Sequence, residues 1–188
     1  LAAQFTVDDL AKVEWAEGSR TKVVGNRSKS ILLHAHAMSS GTAIQLNQFP
    51  HSLNRNYAVF DLEGLPNGFG GPQRVYLWGI KVYGLEQSDY YSSVTPLGET
   101  EDLNGWNQFL ANVKLIFERY GEIPFVHYAN YEKTMLSQYI QRFGDCNGIA
   151  KRVLEHLLDL HALVKQTVVL PDPSYSLKVV ERRAGFQR

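Results

Sequence analysis

The chain has 188 residues, 44% hydrophobic and 20% charged, with 19 Lys and Arg balancing 19 Asp and Glu. That is a globular composition, long enough for one domain with an appendage and for burial of roughly 70% of the unfolded surface. No apolar run approaches the ~20 residues of a membrane span, no signal-peptide pattern is present, and the lone Cys146 excludes an internal disulfide and suits a reducing, cytoplasmic compartment.

Residues 5 to 40 read as helices. In FTVDDLAKVEWA, Thr6 is placed to cap a helix whose first turn carries Asp8 and Asp9, where the helix dipole favours anions. SKSILLHAHAMSSG reads as a second helix stopped by Gly41. Two short helices around Gly25 faintly suggest a helix-hairpin-helix element, but a packing or linker pair explains them as well. QLNQFPHSLNRN reads as a connector. From Gly18 to Phe60 there is no Asp or Glu, while Arg20, Lys22, Arg27, Lys29 and Arg55 are present. A solvated basic face accounts for that run; a polyanionic partner is the sharper reading. The opposite bias appears from Leu85 to Asn104, with Glu86, Asp89, Glu99, Glu101 and Asp102 and no Lys or Arg.

From Tyr57 the pattern changes. YAVFDLEG is a strand, RVYLWGIKVYG a longer strand apolar on both faces, and QSDYYSSV a third. Short separators make them an antiparallel meander. Trp106, Phe109, Leu110, Val113, Ile116, Phe117 and Tyr120 recur at helical spacing before Gly121. IPFVHY is a short buried strand and NYEKTMLSQYIQRFG the helix after it. IAKRVLEHLLDLHALVKQTVVLP is helical or mixed, with a short strand near Leu157 to Leu160, and SYSLKVVERRAG is a final helix. The order gives an α/β domain with a mixed sheet flanked by helices.

Asp61 and Glu63 end the first strand of the meander. Side chains alternate along a strand, so the two acids share a face about 6.6 Å apart. Like charges this close repel, and a hard divalent cation reverses the sign of that interaction. Solvated acids at a strand end are the plainer reading, and D-x-E is a common pattern. Its position beside the glycine-rich GLPNGFGGP, which would let a phosphate backbone approach, strengthens the ligand reading. Glu132 opens the next helix on the stripe of Leu136, Ile140 and Phe143. It therefore points inward, where an unpaired carboxylate is costly and calls for a partner. Asp159 in HLLDLHAL is assigned a structural or capping role, and His127 the place of a hydrogen-bonded core histidine ahead of a substrate contact. His34, His36 and His161 lack zinc-ligand spacing, and Cys146 lacks the companions of a thiol nucleophile.

FDLEG, HYANYE and SYSLKVVERRAG, in this order, resemble the RNase H-like fold of the DEDD 3′–5′ exonucleases. The closer resemblance is to the RNase H-like domain at the C-terminal end of bacterial RecB-like putative nucleases. It spans residues 57–188, with residues 1–50 as a helical segment and connector before the domain. The resemblance implies a Mg²⁺- or Mn²⁺-dependent nuclease acting on DNA or RNA from a 3′ end. It implies a two-metal site held by Asp61, Glu63 and Glu132, with Glu132 standing where the DEDD pattern has Asp. It places Asn130, Tyr175 and Lys178 near a nucleic-acid cleft, to which the basic Arg20, Lys22, Arg27 and Lys29 would add. The fourth acid and general base of the pattern are not met before Arg188, and the sequence, opening on Leu1, reads as a piece of a longer protein with other domains. The competing expectation is a non-catalytic nucleic-acid or protein interaction module on the same fold.

Overall fold

The computed structural model describes residues 6–49, 56–65, 73–84, 88–96 and 99–186. In chain order the first elements are helix α1 (Val7–Ala11), strands β1 (Glu14–Glu17) and β2 (Arg20–Val23), helix α2 (Ser28–Ser40) and strand β3 (Ile44–Gln45). Strands β4 (Tyr57–Leu65), β5 (Arg74–Tyr83) and β6 (Ser88–Val94) follow, then helix α3 (Glu99–Tyr120), strand β7 (Phe125–His127) and helix α4 (Tyr131–Phe143). The last are α5 (Ile149–Glu155), β8 (Leu157–Asp159), α6 (Leu160–Thr167), β9 (Val168–Val169) and α7 (Leu177–Arg183). The chain divides into two compact units, one of Phe49–Leu163 and one of Leu1–Gln48 with Val164–Arg188.

The continuous unit is built on a five-stranded sheet of order β6-β5-β4-β7-β8. The meander β4–β5–β6 is antiparallel, as its short separators predict, while β7 and β8 run parallel to β4. The result is the expected mixed sheet flanked by helices, an RNase H-like fold. Strand β4 alternates as anticipated: Ala58, Phe60 and Leu62 are buried, and Val59, Asp61 and Glu63 are exposed. Strand β5 departs from its expectation. One of its faces is buried through Val75, Trp78, Ile80 and Val82, but Tyr76 and Lys81 on its other side reach solvent.

The core lies where β4 and β5 meet α3, α4 and α5. Trp78 sits at its centre, with ring centroids 4.6 Å from Phe109, 4.8 Å from Tyr139 and 5.4 Å from Trp106. Each fully buried large apolar side chain contributes about 1.5–3 kcal/mol, and the offset and edge-on rings add ~0.5–1.5 kcal/mol per pair. The helical stripe of α3 therefore reads correctly from sequence, and Trp106, Phe109, Val113 and Ile116 are all buried.

In the discontinuous unit, Thr6 caps α1 as expected, accepting from the Asp9 N–H at 3.1 Å in a reciprocal capping box. The expectation of helix from 5 to 40 is corrected beyond Ala11. Residues 14–23 form the β1–β2 hairpin, turned at Gly18 with φ +63°. A left-handed glycine two residues past Ala16 breaks helix and suits a tight reversal, while Trp15 and Val23 favour strand. Helix α2 ends at Gly41 in the left-handed conformation, as predicted. Strand β3, which pairs antiparallel with β9, overlaps the stretch read as a connector at Gln45; residues 50–55 of that stretch lie outside the described residues. Asp172 is buried and accepts from Arg182 at 3.0 Å and Arg183 at 2.6 Å, fastening α7 to the chain before it.

Candidate active site

Strand β7 runs parallel to β4, with Val59 paired to Val126, so its C-terminal end falls just short of Asp61 and the C-terminal end of β4 runs on past it. In such sheets the ligand crevice forms outside these strand ends. Asp61 and Glu63 rise from β4 on its exposed face, and Glu132 enters from the first turn of α4, which follows β7 directly. The three predicted acids meet electrostatically. Burial first, then the charges of Glu132 and Glu63, hold the Asp61 carboxyl above its ordinary value, against one hydrogen bond from the Leu62 N–H at 3.1 Å. The Asp61 side chain reaches solvent, yet enough protein surrounds it that burial is the largest cause.

Glu132 is buried, as its place on the α4 stripe predicts. The His127 Nδ1 lies 3.4 Å from its Oε2. The two atoms are near but not aligned, and neither Oε2 nor Nδ1 has a hydrogen-bond partner. His127 thus lies in the core without a hydrogen bond at Nδ1. A buried polar atom without a partner costs about 1–3 kcal/mol, so the pair marks a place where a ligand would be favoured.

Two local devices hold this crevice together. The register of β4 against β5 slips between Glu63 and Gly64, where Glu63 faces Leu77 but Gly64 faces Val75. Tyr76 is the extra residue of this bulge, a feature that re-aims side chains beside functional sites. Gly64 is required there. A Cβ at that position would lie 2.1 Å from the Tyr131 hydroxyl and 3.0 Å from the Arg74 carbonyl oxygen. Tyr131 in turn accepts from Gln73 Nε2 at 3.1 Å. Gly64→Ala is expected to destabilise the chain by about 1–3 kcal/mol through overpacking. Tyr131→Phe, which removes the crowded oxygen, should return part of that loss. Urea unfolding of both single variants and the double variant measures the coupling, and simple additivity would show that the two residues do not meet.

The second device is Asp159, which has the capping role expected of it. Its Oδ1 accepts from the His161 N–H at 2.9 Å and the Ala162 N–H at 3.3 Å at the start of α6, and from the Ala129 N–H at 3.0 Å. Ala129 has φ +65°, a left-handed conformation that costs a non-glycine residue about 1 kcal/mol or more. Asp159 therefore pins the turn that delivers Asn130 and Glu132. Asn130 is exposed at the start of α4, and its side chain makes no capping bond.

The other candidates belong to the discontinuous unit. Arg20 and Lys22 lie on the exposed β2, with Lys22 paired to Glu17; the Arg27 guanidinium sits 4.9 Å from the Trp15 ring, and Lys29 is exposed on α2. The Tyr175 hydroxyl accepts from the Leu170 N–H at 3.1 Å and donates to the Val168 carbonyl at 3.3 Å, while Lys178 is exposed on α7. The glycine-rich loop beyond Leu65 falls at 66–72, outside the described residues.

As donors for a divalent ion, three carboxylates fit a hard cation, and the bare Glu132 Oε2 and the mutually repelling Asp61 and Glu63 give it reason to bind. Among the described residues, however, no three His, Cys, Asp or Glu side chains already stand close enough to hold one ion together. The donors fit in kind, and their shell is not closed in advance. Sequence reading singled out Tyr131 within HYANYE and Gly64 within GLPNGFGGP but missed Gln73 and the meeting of Tyr131 with Gly64.

Residues 58–188 match a family model described as the RNase_H superfamily. No curated protein matches the chain.

Proposed function

The chain belongs to the RNase H superfamily, and from that premise we propose that it is a divalent-metal-dependent nuclease acting on DNA or RNA in the manner of the DEDD 3′–5′ exonucleases and RecB-like relatives. The observation that carries this reading is the gathering of Asp61, Glu63 and Glu132, with the Asp61 carboxyl raised by burial and then by the charges of Glu132 and Glu63. Asp61, Glu63 and Glu132 would hold Mg²⁺ or Mn²⁺, which when bound supplies charge to the scissile phosphate and lowers the pKa of a water. The chain's own residues shape the rest. Asp159 sets the turn before Asn130 and Glu132, Tyr131 and Gly64 fix the exit of β4, and Asn130 is free to meet a sugar or phosphate oxygen. Tyr175 and Lys178, together with Arg20, Lys22, Arg27 and Lys29, would meet the phosphate backbone. Exposed Cys146 as the single thiol suits a cytoplasmic setting, and other domains of a longer chain are its expected company.

The test is single-turnover cleavage of labelled single-stranded DNA and RNA with Mn²⁺ or EDTA. Metal-dependent loss of 3′-terminal nucleotides is the expected result. A second reading, a non-catalytic nucleic-acid module, draws on the absence of a ready three-ligand cluster among the described residues. Binding without cleavage, and with no Mn²⁺-induced rise in melting temperature, would favour it. Nucleic-acid affinity is also expected to fall steeply with salt. Charge reversal at Arg20, Lys22, Arg27 and Lys29 should flatten that slope by nearly one for each phosphate no longer neutralised. An unchanged slope would make the basic run a solvated face.

A further inference from the structure

We propose that the exposed face of the antiparallel β4–β5–β6 meander is a stacking platform for the unpaired bases of a single-stranded nucleic acid, running from Tyr57 and Tyr83 past Lys81 and Tyr90 to Asp61. The inference names the substrate class of the nuclease reading and rests on it for the platform's role in catalysis.

Residues opposed across antiparallel strands share a face. The register therefore gives three rows across β4, β5 and β6: Tyr57–Tyr83–Ser88, Val59–Lys81–Tyr90 and Asp61–Gly79–Ser92. Three tyrosines and a lysine thus stand on the face that carries Asp61, opposite the face packed by Phe60 and Trp78. This side is open to solvent, with Tyr90 64% and Val59 39% exposed. Tyr57 and Tyr83 are stacked, with centroids 5.2 Å apart and planes at 19°. The Lys81 Nζ sits 4.9 Å from the Tyr83 ring centroid, a cation at hand for a phosphate beside a ring at hand for a base.

Gly79 explains how the rows connect. It faces Asp61 with no side chain, and a Cβ there would lie 3.5 Å from the Tyr90 hydroxyl. Tyr90 therefore leans out of its own row toward that of Asp61. Successive rows are about 6.6–6.8 Å apart along the strands, twice the ~3.4 Å rise per nucleotide in one strand of a duplex. A stretched single strand would set one base on each row, its end arriving at the acids. Aromatic rings accept any base by its π face, and a cation beside them suits a phosphate. A duplex, with its bases stacked on one another, offers no such faces.

The experiment is fluorescence anisotropy of short labelled oligothymidylate, oligouridylate, an abasic oligonucleotide and a duplex, in EDTA so that neither metal nor cleavage contributes. Tyr90→Ala and Tyr83→Ala are each expected to weaken single-strand binding about tenfold or more, from ~1–3 kcal/mol per stacked base. Tyr90→Phe and Tyr83→Phe, which keep the ring, should bind as the parent does. The abasic strand and the duplex should not distinguish Tyr90→Ala from the parent, and the two homopolymers decide between DNA and RNA. Equal affinity of parent and alanine variants for single strands overturns the proposal. So does a parallel loss of abasic binding, or a Tyr90→Ala chain that merely dissociates from a second copy in sedimentation. Tyrosine-dependent binding with no Mn²⁺-dependent cleavage would sink the nuclease reading alone, and cleavage indifferent to the tyrosines would sink the platform alone.

Discussion

Asp61→Asn is expected to abolish nuclease action while making the fold more stable near neutral pH. The substitution is nearly isosteric, so the strand and its register persist. Asp61 would hold the metal, and losing the metal's charge at the scissile phosphate forfeits roughly several kcal/mol of transition-state stabilisation. The stability effect follows from the raised pKa of Asp61. A carboxyl that holds its proton more tightly when folded than when unfolded penalises the native state once ionised. The penalty is absent below the unfolded value and complete above the folded one. The melting temperature of the variant should therefore exceed that of the parent at pH 7, and the gap should close as pH falls toward the ordinary aspartate value. Added Mn²⁺ should raise the parent's melting temperature by mass action and leave the variant's nearly unmoved. Equal cleavage by both proteins would place the chemistry elsewhere.

Asp102→Ala carries the largest expected effect on stability, about 3–5 kcal/mol, because it strands partners of a buried charge. Asp102 is 3% exposed. It accepts from the Tyr139 hydroxyl at 2.7 Å and from Arg142 Nη2 at 2.8 Å, and Arg74 Nε lies 3.8 Å away. Tyr139 also accepts the Val75 N–H at 2.8 Å. Burial, then the bond to Asp102, pushes the tyrosine's pKa well up, so the hydroxyl keeps its proton and its role as a donor. Val75 faces Gly64 across the bulge, and the network thereby reaches the strand that holds Glu63. Asp102→Asn, which keeps an acceptor, should cost less, on the order of 1–3 kcal/mol. Urea unfolding gives both values, and hydrogen exchange at the Val75 amide should quicken in the alanine variant. A loss under ~1 kcal/mol for Asp102→Ala would mean that the charge is solvated rather than buried.

What could be read in the sequence was whatever a local period encodes. Strand β4 declared itself because one face is buried and the other is not, which put Asp61 and Glu63 together. Glu132 was legible as buried from its spacing to Leu136 and Ile140. The β1–β2 hairpin was not, since Glu14, Glu17, Arg20 and Lys22 are residues that helices accept, and the turn at Gly18 decided between the two states. Asp102 looked like one more acid in an acidic run. Its partners come from β5 and α4, and no local pattern announces a carboxylate that must meet a tyrosine and two arginines in space. The meeting of Tyr131 with Gly64 was hidden for the same reason.

The pairing of β3 with β9 has a bearing on how the chain is made. Ile44 and Gln45 leave the ribosome long before Val168 and Val169, their partners in register. At roughly 5–20 residues per second, β3 waits several seconds or more with an open edge while the contiguous sheet of the other unit is synthesised. That sheet draws its strands and helices from one uninterrupted stretch and can form first. The discontinuous unit can close its ladder only after the later segment arrives, and the cost of closing so long a loop falls on this step. The interval is when β3 is exposed to the wrong partner, and when a chaperone would have most to do.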